Sequence, residues 1–207
     1  MHIEFLVEEP SAEAALRNLV PKILGSGVEF RVIRFQGKQD LLSRLPGLLK
    51  GYRRWITADW RIVVLVDEDR QDCRELKAEL EKAAGDAELS TRSVTRGGSA
   101  FQVLNRISIE ELEAWFFGDV EALHLAYPRI PPSLATSSKY RDPDAIQGGT
   151  WEALDRELRR KGYFHGGLAK IEAAKAISAH MDPDQNRSKS FQVFRDGLRD
   201  MVNYPRS

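Results

Sequence analysis

Residues 62–66 read Ile-Val-Val-Leu-Val, five consecutive apolar residues, and run straight into Asp67, Glu68 and Asp69. So short an apolar run, rich in β-branched side chains and free of polar alternation, predicts a strand covered on both faces. The charges begin where the strand must end, and in open α/β sheets chemistry collects at the carboxyl ends of strands. Asp67 and Asp69 are two apart, so extended backbone would send their side chains the same way. Two such carboxylates repel each other. A divalent cation relieves the repulsion, and Mg²⁺ is the usual ion for a few carboxylates plus water. Helix capping and strand-end solvation explain the same pair equally well.

The flanking sequence repeats the strand and helix signals. Residues 2–7 and 28–35 predict strands, and 89–95 and 102–107 predict two more. Between them, 12–23, 41–52 and 73–84 have helical apolar spacing, with Ser11 placed to cap the first helix. Pro21 and Pro46-Gly47 predict local interruptions. Ser108 opens a helical stretch running to about residue 125. This alternation predicts an α/β fold with a largely parallel central sheet flanked by helices. From Tyr127 the texture changes to a proline- and serine-rich segment, followed by helices over 151–161, 168–180 and 190–201. The expected organisation is a core over 1–126 and a helical C-terminal extension over 127–207. The extension's short helices have apolar faces that need the core as partner, making one structural unit.

Composition removes several function classes. The chain has 207 residues, enough for one sizeable domain, and no net charge, so bulk charge calls for no polyanion partner. A single cysteine, Cys73, excludes an internal disulfide or a cysteine-rich zinc site. The start, MHIEFLVEEP, lacks a secretory signal, and no apolar run approaches a membrane span, so a cytoplasmic location without membrane association is expected. No H-x-x-x-H spacing, G-x-S-x-G elbow or Walker loop is present.

Glu8 follows the first strand as Asp67 follows the third. If those strands are neighbours, Glu8, Asp67 and Asp69 form an acidic site for Mg²⁺ or Mn²⁺. Glu9 and Glu68 read as solvated. In the segment ISIEELEAWFFGD, Ser108 and Glu111 fit a capping box, and Glu110 suits a first helical turn. Glu113 lies deeper among apolar residues and is the better candidate for an active-site carboxylate, whereas Trp115 reads as core. Asp119 is placed to close a helix end or contact basic residues. The candidates for a phosphate-bearing substrate are Lys38 in the loop after the second strand, Arg96 beside Gly97-Gly98, and Lys170 and Arg187 in the helical part. For Asn186-Arg187-Ser188, helix capping competes with phosphate contact and is the safer reading.

FLVEEPSAEAAL followed by VVLVDEDR resembles the Toprim pattern, a glutamate after the first strand and a D-x-D after a later apolar strand. FQGKQDL, IEELEAWFFGD, YRDPDAI and NRSKSF resemble the DUF4276 family, a Toprim-like group, over roughly residues 3–198. The resemblance implies a Toprim-like fold and Mg²⁺-dependent phosphoryl transfer on DNA or RNA, as in topoisomerases, primases and OLD-type nucleases. It carries the catalytic glutamate onto Glu8 and the metal aspartates onto Asp67 and Asp69, and it implies a partner ATPase. Many Toprim sequences have glycine where this chain has Glu9. Three readings follow: a metal-dependent nuclease or phosphodiesterase, a non-catalytic adaptor retaining the acids, and a phosphatase of another α/β fold with Asp67 as nucleophile. The last lacks the residue signature expected after the second aspartate.

Overall fold

The computed structural model describes residues 1–69, 71–95 and 99–203. Four parallel strands, β1 (His2–Val7), β2 (Glu29–Arg34), β3 (Trp60–Asp67) and β4 (Val103–Ser108), form one sheet in the order β2-β1-β3-β4. The unbroken apolar run of β3 is explained by alternation. Val63 and Leu65 join the core on one face, while Ile62, Val64 and Val66 join the core on the other.

The helices α1 (Pro10–Leu24), α2 (Lys38–Arg53) and α3 (Cys73–Asp86) connect the strands. The side chains of α1 pack on the first face and those of α2 and α3 on the second. Neither proline breaks its helix: α1 runs through Pro21 and α2 through Pro46. Both prolines are exposed, so water can satisfy the carbonyl that each leaves without an amide partner. Glu9, rather than Ser11, occupies the cap position of α1, with Pro10 as the first helical residue, and the Ser11 hydroxyl donates to Glu9 Oε2 at 3.1 Å.

Two predicted boundaries are corrected. Residues 89–95 do not form a strand, and only Thr91 bridges to Val103. The Val94 and Thr95 amides instead donate back to the Thr91 carbonyl, turning the chain away from the sheet. Ser108 does not open a helix but ends β4, opposite Asp67. The helical stretch then splits into α4 (Glu113–Gly118) and α5 (Val120–Ala126) at Asp119. One carboxylate oxygen of Asp119 accepts from the Ala122 amide at 3.1 Å and the other from the Asp182 amide at 2.8 Å.

The C-terminal part comprises short 3-10 turns at Pro132–Thr136 and Pro143–Ala145, then α6 (Thr150–Arg160), α7 (Lys170–His180) and α8 (Lys189–Asn203). Its apolar side chains share the first-face core with α1; α7 lies along α1, and α8 lies against β4. Trp115 is wholly buried against Phe191 and Phe194, and its indole N–H donates to Ser190 Oγ at 3.0 Å. Gly118 is required by close approach, because a Cβ there would stand 2.1 Å from Asn186 Oδ1. Lys22 donates to the carbonyls of Ser178, Ala179 and Met181, closing the end of α7 from α1. Among the described residues no helix is long and apolar enough to cross a membrane.

The start of α8 is held by Ser188, whose hydroxyl accepts from the Phe191 amide at 3.1 Å, and by Asp144. Asp144 accepts from the Lys189 and Ser190 amides and from the hydroxyls of Ser188 and Ser190. Asp144→Ala is therefore expected to lower stability by about 2 kcal/mol, because it strips several donors at a helix start at once. Urea unfolding checks this, and an unchanged midpoint would contradict the assigned role.

Candidate functional site

The chain turns from β1 toward β2 on one side of the sheet and from β3 toward β4 on the other, with the following helices on opposite faces. The carboxyl ends of β1 and β3 thus flank a topological switch point, where open α/β sheets form their crevice. Glu8 directly follows β1, and Asp67 ends β3. Glu8 Oε1 accepts from the Asp67 amide at 2.5 Å, joining the two strand ends through one carboxylate. The Gly37 amide donates to the Glu8 carbonyl at 3.1 Å, which brings the loop after β2 to the same place.

Three carboxyl groups here are held in conditions that disfavour charge. Glu8 is 6% exposed, and burial lifts its carboxyl to about 7. The Asp67 amide and the Lys38 ammonium oppose that rise, while Asp69 and Glu9 add to it. Asp67 is pushed well above the usual carboxylate range by burial first, then by Glu8, Glu113, Glu9 and Asp69. Glu113, the first residue of α4, is 2% exposed and is lifted to about 7 by burial, with Lys170 pulling the other way.

Asp69 stands differently from Asp67. Its φ of 53° lies in the left-handed region, so the extended-backbone alignment expected of the Asp67–Asp69 pair does not hold. Its amide donates to the Glu110 carbonyl at 2.8 Å, and Glu110, also left-handed, donates its amide to Glu68 Oε2 at 3.1 Å. Non-glycine residues in this conformation need surrounding contacts to hold them, and these bonds supply them. Lys38, first in α2, reaches Asp69 Oδ2 at 2.6 Å and donates to the Glu68 carbonyl at 3.0 Å.

The helical C-terminal part contributes the second cation. Lys170, first in α7, lies 3.8 Å from Glu9 Oε2 and 5.0 Å from the centre of the Trp151 ring. Burial lowers its pKa, but Glu113, Glu9, Glu111 and Asp67 outweigh this and raise it overall. Glu111 forms no capping box with Ser108. Its Oε2 accepts from the Trp151 amide at 2.8 Å and the Thr150 hydroxyl at 3.0 Å, holding the start of α6 against the site. Glu8, Asp67, Glu113, Asp69, Lys38 and Lys170 therefore meet around one sheet edge. Arg187 does not join them: its guanidinium donates to the Ala135 and Arg141 carbonyls, and Asn186 and Ser188 beside it serve the α8 start. Arg96, with Gly97 and Gly98, lies outside the described residues.

Sequence reasoning missed Glu9, Glu111 and Trp151. Glu9 read as a solvated strand-end acid, and its link to Lys170 depends on where α7 packs. Glu111 and Trp151 are forty residues apart and carry no local signal of their contact.

Among the described residues, no group of three or more histidine, cysteine, aspartate or glutamate side chains is arranged as a ready cage for a metal ion. Asp69, expected from the sequence as a third metal ligand, is paired with Lys38. The Glu8–Asp67 pair does fit Mg²⁺ or Mn²⁺ chemically. Both are hard carboxylate donors short of counter-charge, and Mg²⁺ commonly takes one or two carboxylates, completing its shell with water and substrate phosphate.

The site's electrostatics make a pH prediction. The carboxyl of Glu113 has an ordinary value of 4.5 and a folded value of about 7. Its contribution to stability is complete below the ordinary value and is lost as pH rises through about 7. In chelator at pH 8, Glu113→Gln should therefore melt several degrees above the unaltered protein, with the gap narrowing at pH 5. Melting curves at both pH values check this, and a lower melting point for the variant at pH 8 would contradict it.

No curated protein and no solved structure matches this chain. The family model described as "Domain of unknown function (DUF4276)" matches residues 7–199, and with nearly the whole chain covered, the protein belongs to that family.

Proposed function

We propose that this protein is a Toprim-like, Mg²⁺- or Mn²⁺-dependent phosphodiesterase that cleaves nucleic acid at the carboxyl ends of β1 and β3. The observation that carries this reading is the Glu8 carboxylate hydrogen-bonded to the Asp67 amide, with Glu113 beside them and a lysine on either side. Uncompensated carboxyl groups at a switch point favour a cation, and the lysines favour the phosphate that shares it.

Glu8 and Asp67 would hold the ion. When bound, a divalent cation supplies charge neutralisation at phosphate oxygens and lowers the pKa of water. If Asp67 holds the ion without it, Glu8 is instead the general acid or base, work that a carboxyl raised to about 7 suits. Glu113, buried behind them, keeps the local potential negative and so favours cation entry. Lys170 and Lys38 approach from opposite elements, α7 and α2, and orient the phosphodiester. To engage phosphate, Lys38 exchanges Asp69 for a substrate oxygen.

The Lys38–Asp69 ion pair also favours a second reading, a non-catalytic module working with a partner ATPase. There the acids are already neutralised in part from within the chain and serve binding rather than cleavage.

The test is Asp67→Asn with DNA and RNA substrates in Mg²⁺ or Mn²⁺. Metal-dependent cleavage should be abolished, while the melting point in chelator is unchanged or higher because one repelling carboxylate is gone. Added metal should stabilise the unaltered protein more than the variant. Glu8→Gln should lower the cleavage rate by about 100-fold or more. Equal metal response in both proteins, with a lower melting point for Asp67→Asn in chelator, would contradict the metal role. Metal binding without cleavage of either nucleic acid would favour the module.

A further inference from the structure

The sheet ends on β4, and among the described residues only the first part of that edge is covered. The Val103 amide donates to the Ser90 carbonyl at 3.0 Å and the Val103 carbonyl accepts from the Arg92 amide at 3.2 Å, so Val103 turns its backbone away from β3. The carbonyls of Gln102 and Ser108 face β3 instead, accepting from the Ile62 and Glu68 amides. By the period of two, Asn105 and Ile107 also present their amides and carbonyls outward. The chain that bridges at Thr91 turns away before reaching them.

What lies along this open stretch is a groove of about 610 Å³ between α3 and α8. The two helices belong to opposite faces of the sheet, and their overhang leaves room for one extended chain beside β4. Ile107, Ile109 and Val193 give it an apolar floor and wall, and Val193 is 49% exposed. Around them stand Arg74, Arg106 and Lys189. Glu81, the one carboxylate among the groove's described lining residues, is already held by Lys77, Thr91 and Asn105. Arg106 is 8% exposed and Asn105 1% exposed, and among the described residues neither Arg106 Nη2 nor Asn105 Oδ1 has a hydrogen-bond partner. Lys77 and Arg106 both donate to the Asn105 carbonyl, standing in for the strand that is missing there.

We propose that this groove takes an extended, acidic segment of a partner protein, which adds to β4 as a fifth strand. The backbone of Ile107 and the Asn105 amide give it main-chain hydrogen bonds. Its carboxylates draw Arg106 and Lys77 off the Asn105 carbonyl and meet Arg74 and Lys189 at the rim. Charge selects this occupant over a second copy of the chain, because pairing two β4 edges would set the same cations against each other. Among the described residues the groove's lining has no aromatic ring on which a base could stack, so nucleic acid is the poorer fit.

The test uses the full chain and a capped decapeptide alternating valine and glutamate, with a valine–lysine decapeptide as control. Titration should show saturable binding of the acidic peptide alone. Hydrogen exchange at the Ile107 amide should slow by roughly tenfold or more on binding, while the Arg106 amide, already paired with β3, stays as it was. The double change Arg74→Glu and Lys189→Glu, both at the rim, should weaken the acidic peptide about tenfold, the worth of two surface ion pairs, without moving the melting point. Binding without protection at Ile107, or equal binding of the lysine peptide, would overturn the proposal. So would a single-stranded oligonucleotide that protects the same amide, or a dimer that the double change strengthens.

Discussion

The site depends on one hydrogen bond, from the Asp67 amide to the carboxylate of Glu8. It links the ends of two adjacent parallel strands at the point where the sheet's connections diverge. An anionic acceptor makes this a stronger bond than a neutral pair would, and it keeps a buried carboxyl where burial alone would expel it. The bond satisfies only part of what Glu8 demands. Burial first, and then the neighbouring carboxylates, raise the carboxyls of Glu8 and Glu113 to about 7 and that of Asp67 well above its usual range. A fold tolerates such a cluster at a cost in stability, and groups so perturbed in a cleft are candidates for a functional site.

Both layers of the molecule serve this place. The α2 side brings Lys38 to Asp69, and the C-terminal helices bring Lys170 toward Glu9 and Glu113. Glu111 ties α6 to the segment after β4, and Lys22 ties α7 to α1, so Lys170 and Trp151 are fixed by contacts outside the acidic cluster. Residues after 126 therefore share their core with α1 and also complete the charge pattern at the sheet edge.

Much of this was legible in the sequence where local pattern and tertiary outcome coincide. The run of residues 62–66 marked a doubly covered strand, and acids following two apolar runs marked one sheet edge, because both depend on side-chain periodicity alone. Residues 89–95 show the opposite case. Their β-branched composition suits a strand, yet Arg92 is drawn to Asp200 and Thr95 hydrogen-bonds back to Thr91, and these contacts win. Ser108 resembled a cap because its register with Asp67 is invisible in one dimension. The left-handed conformation of Asp69 likewise follows from its bond to Glu110, and no D-x-D spacing announces it. Lys170 was recognisable as a cation, but its position beside the acids required knowing that α7 lies along α1.

The central claim is that Glu8, whose carboxyl burial raises to about 7, gives up its proton when a divalent cation binds beside Asp67. Calorimetric titration of the protein with Mg²⁺ at pH 7, in two buffers of different ionisation enthalpy, measures this directly, since binding to protonated ligands must release protons. The account predicts release on the order of one proton per ion at pH 7, vanishing by about pH 9 as a carboxyl titrating near 7 is already ionised, and release lost in Asp67→Asn. Mg²⁺ binding with no proton release at pH 7, or no binding at either pH, would contradict it.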